Sequence, residues 1–179
     1  MTGSQTPLNF DASPWRVAVV AARFNEGLVS QLIDGATRAW RAHGGSEDQL
    51  AVLRVPGAFE LPLAAARFAA SGEYQAVIAL GCVIRGDTPH FEYVAGECAR
   101  GLMDAGLATG VPVIFGVLTT ETQAQAEERA DISRMNKGRE SMEAALEMIE
   151  LLAPLSAPPP PRARRAAKKK AAPRKKVRR

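Results

Sequence analysis

Four short apolar runs, each followed by a stretch of helical periodicity, constrain this chain more than any other feature. Val17-Ala18-Val19-Val20, a run from about Gln49 to Val55, Ala76-Val77-Ile78-Ala79-Leu80, and Val113 to Leu118 each read as a strand. The first and third are apolar at every position, the pattern of a strand covered on both faces, as in parallel sheets. Between them lie helical stripes. Leu28, Leu32, Ile33, Ala36 and Trp40 precede Gly44-Gly45, a second helix covers about Phe59 to Ala70, and Phe91, Val94, Ala95, Cys98, Leu102 and Ala105 precede Gly110. Two further helices are expected from Thr122 to about Arg129 and from about Asn136 to Leu152. The alternation predicts an α/β sandwich in three layers, with a four-stranded parallel sheet, right-handed crossovers and helices on both faces.

The charge is unevenly spread. Eleven of the 23 Lys and Arg residues fall in 157–179, which contains no acid, leaving 12 basic against 19 acidic residues on 1–156, a net charge of −7 there. The overall value of +4 describes neither part. The sequence divides into an N-terminal segment 1–14, an α/β domain 15–153 and a Pro/Ala/Lys/Arg-rich segment 154–179. That last segment buries too little apolar area to offset ordering entropy, so a disordered tail with a stiff proline neck, Pro158 to Pro161, is expected. No apolar run approaches the ~20 residues that cross a bilayer. Met1 to Ser13 lacks the charged and apolar regions of a secretory leader. Cys82 and Cys98 form no disulfide framework, and His43 and His90 have no partners at metal-ligand spacing. A cytoplasmic protein with no membrane association and no metal is expected.

In parallel sheets, ligands collect beyond the carboxyl ends of the strands, where strand order reverses. The turns there are Arg23-Phe24-Asn25, Pro56-Gly57-Ala58-Phe59-Glu60, Gly81 to His90, and the region Leu118-Thr119-Thr120-Glu121. The third is the most informative. Glycines let the backbone approach a ligand, and Thr88-Pro89 suits a helix start, with Thr as cap and Pro in the first turn. Free N–H groups at such a start favour an anion such as phosphate. His90 stands in the first turn, and imidazole titrates near 6.5, so it both takes and gives protons near neutrality. Together these features point to phosphate-ester chemistry with His90 as general acid and base. His43, beside Gly44 at a helix end, reads as a surface residue.

The same segments resemble the 6,7-dimethyl-8-ribityllumazine synthase family. The matching pieces are Ala22-Arg23-Phe24-Asn25, Val55 to Pro62, Gly81 to Val94 (GCVIRGDTPHFEYV), Pro112 to Thr120 (PVIFGVLTT), Glu128-Arg129-Ala130, and Asn136-Lys137-Gly138. They stand in the family's order across about 15–152. Asp131 to Met135 replaces the Gly/Lys/Ala-rich turn usual there. The resemblance implies a flavodoxin-like sandwich. It also implies condensation of 5-amino-6-(D-ribitylamino)uracil with 3,4-dihydroxy-2-butanone 4-phosphate, the penultimate step of riboflavin synthesis, with release of phosphate and without a cofactor.

It further implies roles for particular residues. Phe24, which by type alone reads as a core phenylalanine, would stack on the pyrimidine. Ala58, Phe59 and Glu60 would hold the ribityl chain, although Glu60 also suits the helix dipole as a first-turn acid. Main-chain groups of Cys82, Val83 and Ile84 would meet the uracil edges. A nucleophilic Cys82 lacks any activating base nearby. Asp87, through its backbone, and Thr88 would cradle the butanone phosphate. Phe115 and Arg129 would come from a neighbouring subunit, Phe115 closing over the pyrimidine and Arg129 gripping phosphate through its planar fork, with Lys137 a weaker candidate for the same anion. Arg129 on a helix surface equally suits an ion pair with Glu127 or Glu128.

A shared site implies a homo-oligomer, in this family a pentamer or a hollow icosahedral shell of sixty subunits. The last helix carries a second apolar line, Ala144, Met148 and Leu151, beside Met142, Ala145, Leu146 and Ile149. The tail at 157–179 suits nucleic acid or another polyanion bound by charge alone, or equally a solubilising extension. The alternative functions are a flavin- or nucleotide-binding module without catalysis, and a scaffold for a polyanion-binding tail.

Overall fold

Strand β1 (Val17–Ala22) is buried at every position, which places it inside a sheet covered on both sides. The computed structural model describes residues 10–156. Strands β1, β2 (Leu50–Val55), β3 (Ala76–Ile84) and β4 (Val113–Thr120) form one parallel sheet in the order β2-β1-β3-β4. The helices are α1 (Glu26–Ala42), α2 (Leu61–Ala70), α3 (His90–Thr109), α4 (Gln123–Ala130) and α5 (Lys137–Ser156), with short 3-10 turns at Glu47–Gln49 and Ala58–Glu60. This is the flavodoxin-like sandwich that the strand pattern and the resemblance imply.

Strand alternation divides the core. Val17, Val19, Ala21, Ile78 and Leu80 point to the face packed by α1, α4 and α5. Ala18, Val20, Val77 and Ala79 point to the face packed by α2 and α3. The N-terminal segment contributes to the first face: Phe10 and Ala12 are buried there. Phe10 leans on the His43 ring at 5.5 Å, and His43 lies 3.7 Å from Glu143 of α5 with its side chain only 13% exposed. His43 is therefore no surface residue; the chain before β1 folds over it.

Three boundaries differ from the sequence reading. Strand β3 does not stop at Leu80. Gly81 to Ile84 continue it, paired with Val117 to Thr120 of β4. The strand is held through its main chain, and a Cβ on Gly81 would fit tightly against the Leu61 side chain at 3.2 Å. Helix α3 starts at His90, and Pro89, already helical at φ −63° and ψ −2°, occupies the cap position without a side-chain cap bond. The ring-fixed φ of Pro enters the helix directly, so the Thr88 cap is not used. Helix α5 runs through Pro154 to Ser156, three residues into the segment assigned to the tail. Residues 157–179 lie outside the described residues.

Helices α1 and α5 pack closely together. A Cβ on Gly138 would overlap the Leu32 carbonyl and one on Gly35 the Asn136 side chain, so two glycines let these helices meet backbone to backbone. Farther along α5, Glu150 accepts from the Asp11 N–H at 3.4 Å, just upstream of β1. The C-terminal end of α5 therefore lies at the amino-terminal side of the sheet. Gly138→Ala should lower unfolding stability by about 1–3 kcal/mol, as overpacking does. Urea denaturation measures this, and an unchanged midpoint would contradict the contact.

Candidate active site

The sheet order reverses between β1 and β3: the chain leaves β1 for β2 on one side and leaves β3 for β4 on the other. Pairing between β1 and β3 ends at Ala21 and Leu80, while β3 continues four residues further beside β4 alone. A gap opens where β1 turns away. Its near wall is tied to β2, because Arg23 N–H donates to the Val55 carbonyl at 2.8 Å and Phe24 N–H to the Pro56 carbonyl at 3.1 Å. Asn25 adopts the left-handed conformation, φ 58°, which asparagine tolerates better than most residues. Its Nδ2 donates to the Cys82 carbonyl at 2.9 Å, pinning the first turn to the far end of β3. The Arg85 N–H instead donates to the Thr120 carbonyl of β4. Strand alternation thus turns the main-chain groups of Cys82 and Ile84 toward the gap and those of Val83 toward β4.

The gap is a cleft of about 670 Å3, lined by Phe24, the turn Pro56 to Glu60, Cys82 to Ile84, Gly86, Thr88, His90, Phe91, Tyr93 and Val94. Nine of the residues singled out in the sequence meet here: Phe24, Ala58, Phe59, Glu60, Cys82, Val83, Ile84, Thr88 and His90. Phe24 is 71% exposed and Phe59 59%, so neither ring belongs to the core. The Glu60 carboxylate reaches back to the Gly57 N–H at 2.9 Å and fixes the turn it closes. Asp87 is exposed in the same loop but outside the cleft lining.

The other three lie elsewhere. Phe115, Arg129 and Lys137 line a second hollow of about 390 Å3, between β4 and the helices α4 and α5. The two hollows share no lining residue. Arg129 donates to the Gln125 carbonyl at 3.0 Å within its own helix, and Lys137 pairs with Glu140 at 2.5 Å. Phe115 is 44% exposed on an edge strand.

The family model described as 6,7-dimethyl-8-ribityllumazine synthase matches residues 14–153, a span that contains both hollows. The chain belongs to that family. A relative named 6,7-dimethyl-8-ribityllumazine synthase from Halorhodospira halophila (strain DSM 244 / SL1) is 54% identical over 142 residues, covering 79% of this chain and 91% of the relative. Among the described residues no helix is long and apolar enough to cross a membrane.

For a lumazine synthase family member, two residues of structural weight stand out that sequence reading passed over. Asn25 sits inside a matched segment, and a non-glycine residue at a strand-to-helix turn was the available signal. Arg85 joins the Gly86–Thr88 loop to Glu121, beyond β4, at 2.6 Å, so the fourth turn touches the site through an ion pair and not as lining. Its two carboxylate partners, Glu92 first and Glu121 next, hold the guanidinium above its ordinary pKa.

Cys82 turns its side chain into the core while its backbone faces the cleft. Burial pushes its thiol, and that of Cys98, up to about 11 from an ordinary 9.0. A thiol that stays protonated at neutral pH is no nucleophile. Between those two values the unfolded chain has released protons that the native state still holds, so stability falls as pH rises through the window. In urea titrations from pH 9.0 to about 11, the double variant Cys82→Ala/Cys98→Ala should lose stability less steeply than the parent. Equal slopes would show that the thiols are not shielded.

Proposed function

We propose that the cleft beyond β1 and β3 is where this chain condenses 5-amino-6-(D-ribitylamino)uracil with 3,4-dihydroxy-2-butanone 4-phosphate. The observation that carries this reading is the meeting of an exposed aromatic ring, an open strand edge and a histidine at a helix start around one cleft. The amino group attacks the ketone and water leaves to give an imine. Loss of inorganic phosphate and ring closure, with a second water released, complete the lumazine. These steps are proton transfers and phosphate departure, so positioning two substrates supplies much of the catalysis.

In this reading Phe24 stacks on the pyrimidine, and the main-chain groups of Cys82 and Ile84 meet its polar edges. Ala58, Phe59 and Glu60 hold the ribityl hydroxyls. The phosphate lies against N–H groups of Asp87 and Thr88 at the positive end of α3, and His90 moves protons. Phe115, Arg129 and Lys137 complete the site from a second copy of the chain. Their separation from the cleft supports this, as does the apolar surface a lone subunit exposes: Met103 at 63%, Leu107 at 76% and Leu151 at 60%.

The tail supports a second activity. Eleven positive charges without an acid, in 157–179, suit binding to nucleic-acid phosphates by counterion release, and repetition over an oligomer multiplies the avidity. No aromatic residue lies among the charges, so base stacking and sequence choice are not expected.

His90→Ala should lower kcat by about 100-fold, as loss of a general acid-base group does, read from lumazine fluorescence and phosphate release. Arg129→Ala should raise the KM for the butanone phosphate. Co-assembling the two variants should restore activity, since some sites then receive intact His90 and Arg129 from different copies. No restoration would sink the shared site, and full activity of His90→Ala would favour a binding module without catalysis. Removing 157–179 should abolish retention of DNA in a filter assay at low salt and leave turnover intact. Unchanged retention would end the polyanion reading.

A further inference from the structure

Arg85 stands beside the loop assigned to phosphate and carries a positive charge, yet its geometry suits a different task. Its NH1 lies 2.7 Å from Glu92 in the first turn of α3, and its Nε lies 2.6 Å from Glu121 beyond β4. Its guanidinium carbon sits 4.2 Å from the centre of the Phe91 ring, and Phe91 lines the cleft immediately after His90. Two carboxylates already neutralise the group, and the stacked ring covers one of its faces. Two of its five donors are engaged, and two carboxylates outweigh its single charge, so the group offers no net positive charge to draw in a substrate anion.

These contacts sit near solvent: the Arg85 side chain is 36% exposed, Glu92 57% and Glu121 60%. Ion pairs of that kind add little to global stability. Their effect is orientation. The main-chain N–H of Arg85 is fixed to Thr120 at 2.9 Å, so the residue is held to β4 at its root and to α3 and the β4–α4 turn at its tip. Between root and tip runs Gly86-Asp87-Thr88-Pro89, the connection to His90. The arginine is a brace across the base of that loop.

Resting on the reading of the cleft given above, we propose that Arg85 is a positioning residue for the condensation. It fixes the first turn of α3 through Glu92 and Phe91, and thereby sets where His90 stands, without contacting either substrate. A misplacement of about 1 Å in a reacting group is enough to slow a step 100-fold, so a brace that stabilises little still governs turnover.

The test uses the full chain and steady-state kinetics with both substrates. Arg85→Ala should lower kcat by about tenfold or more, leave the KM for the butanone phosphate nearly unchanged, and move the thermal midpoint little. Arg85→Lys, which keeps one ion pair but lacks the planar fork, should recover part of the rate. Glu121→Gln should show a smaller loss that does not add to that of Arg85→Ala. An unchanged kcat in both Arg85 variants would overturn the proposal. A rise in KM for the phosphate substrate with kcat intact would also overturn it, by making Arg85 a direct ligand. If Arg85→Ala fails to fold, Arg85→Lys and Glu121→Gln decide alone. Absence of turnover in the parent chain would instead sink the assignment of the reaction itself.

Discussion

The bond from the Asn25 side chain to the Cys82 carbonyl holds the site open. Where β1 abandons the sheet, β3 goes on for four more residues with a neighbour on one side only. A strand edge so exposed ordinarily closes onto whatever lies near. Here an amide takes up one carbonyl and keeps the first turn at a fixed distance, so the remaining main-chain groups face an empty space of defined width. The left-handed backbone at Asn25 aims its side chain across the gap. The reversal of strand order makes the cleft, and this bond ties its two walls together.

Much of this was legible in the sequence. Continuous apolar runs announce strands because a two-sided sheet tolerates no polar position in its centre, and β1 is buried throughout. Turns at the carboxyl ends of strands could be gathered on topological grounds, and nine of the thirteen residues singled out do gather around one cleft. The end of β3 was not legible. Gly81 and Cys82 interrupt the run of large side chains, yet pairing to β4 is a main-chain matter and ignores that signal. The α3 start was displaced for a similar reason: Thr88 and Pro89 fit a capping pattern by type, but proline geometry alone brings the chain into the helix. His43 was misjudged because its cover, Phe10, comes from a segment with no periodicity to read.

Electrostatics at the cleft are arranged by exclusion. One oxygen of Glu60 is tied to its own turn, Arg85 is paired with two acids, and the Cys82 thiol is held protonated by burial. Around them stand an uncharged strand edge, the exposed rings of Phe24, Phe59 and Tyr93, and a histidine at the positive end of a long helix. The character of the cleft thus comes as much from charges that are paired or buried as from the groups left open.

Among the described residues the sheet ends in two free edges, β2 and β4, and each shows apolar side chains to water: Val52 and Leu53 on one, Phe115 on the other. Open edges with greasy flanks recruit stray extended polypeptide. An extended segment that reaches either edge can add a strand there by main-chain hydrogen bonds, so these two edges set how readily the chain aggregates.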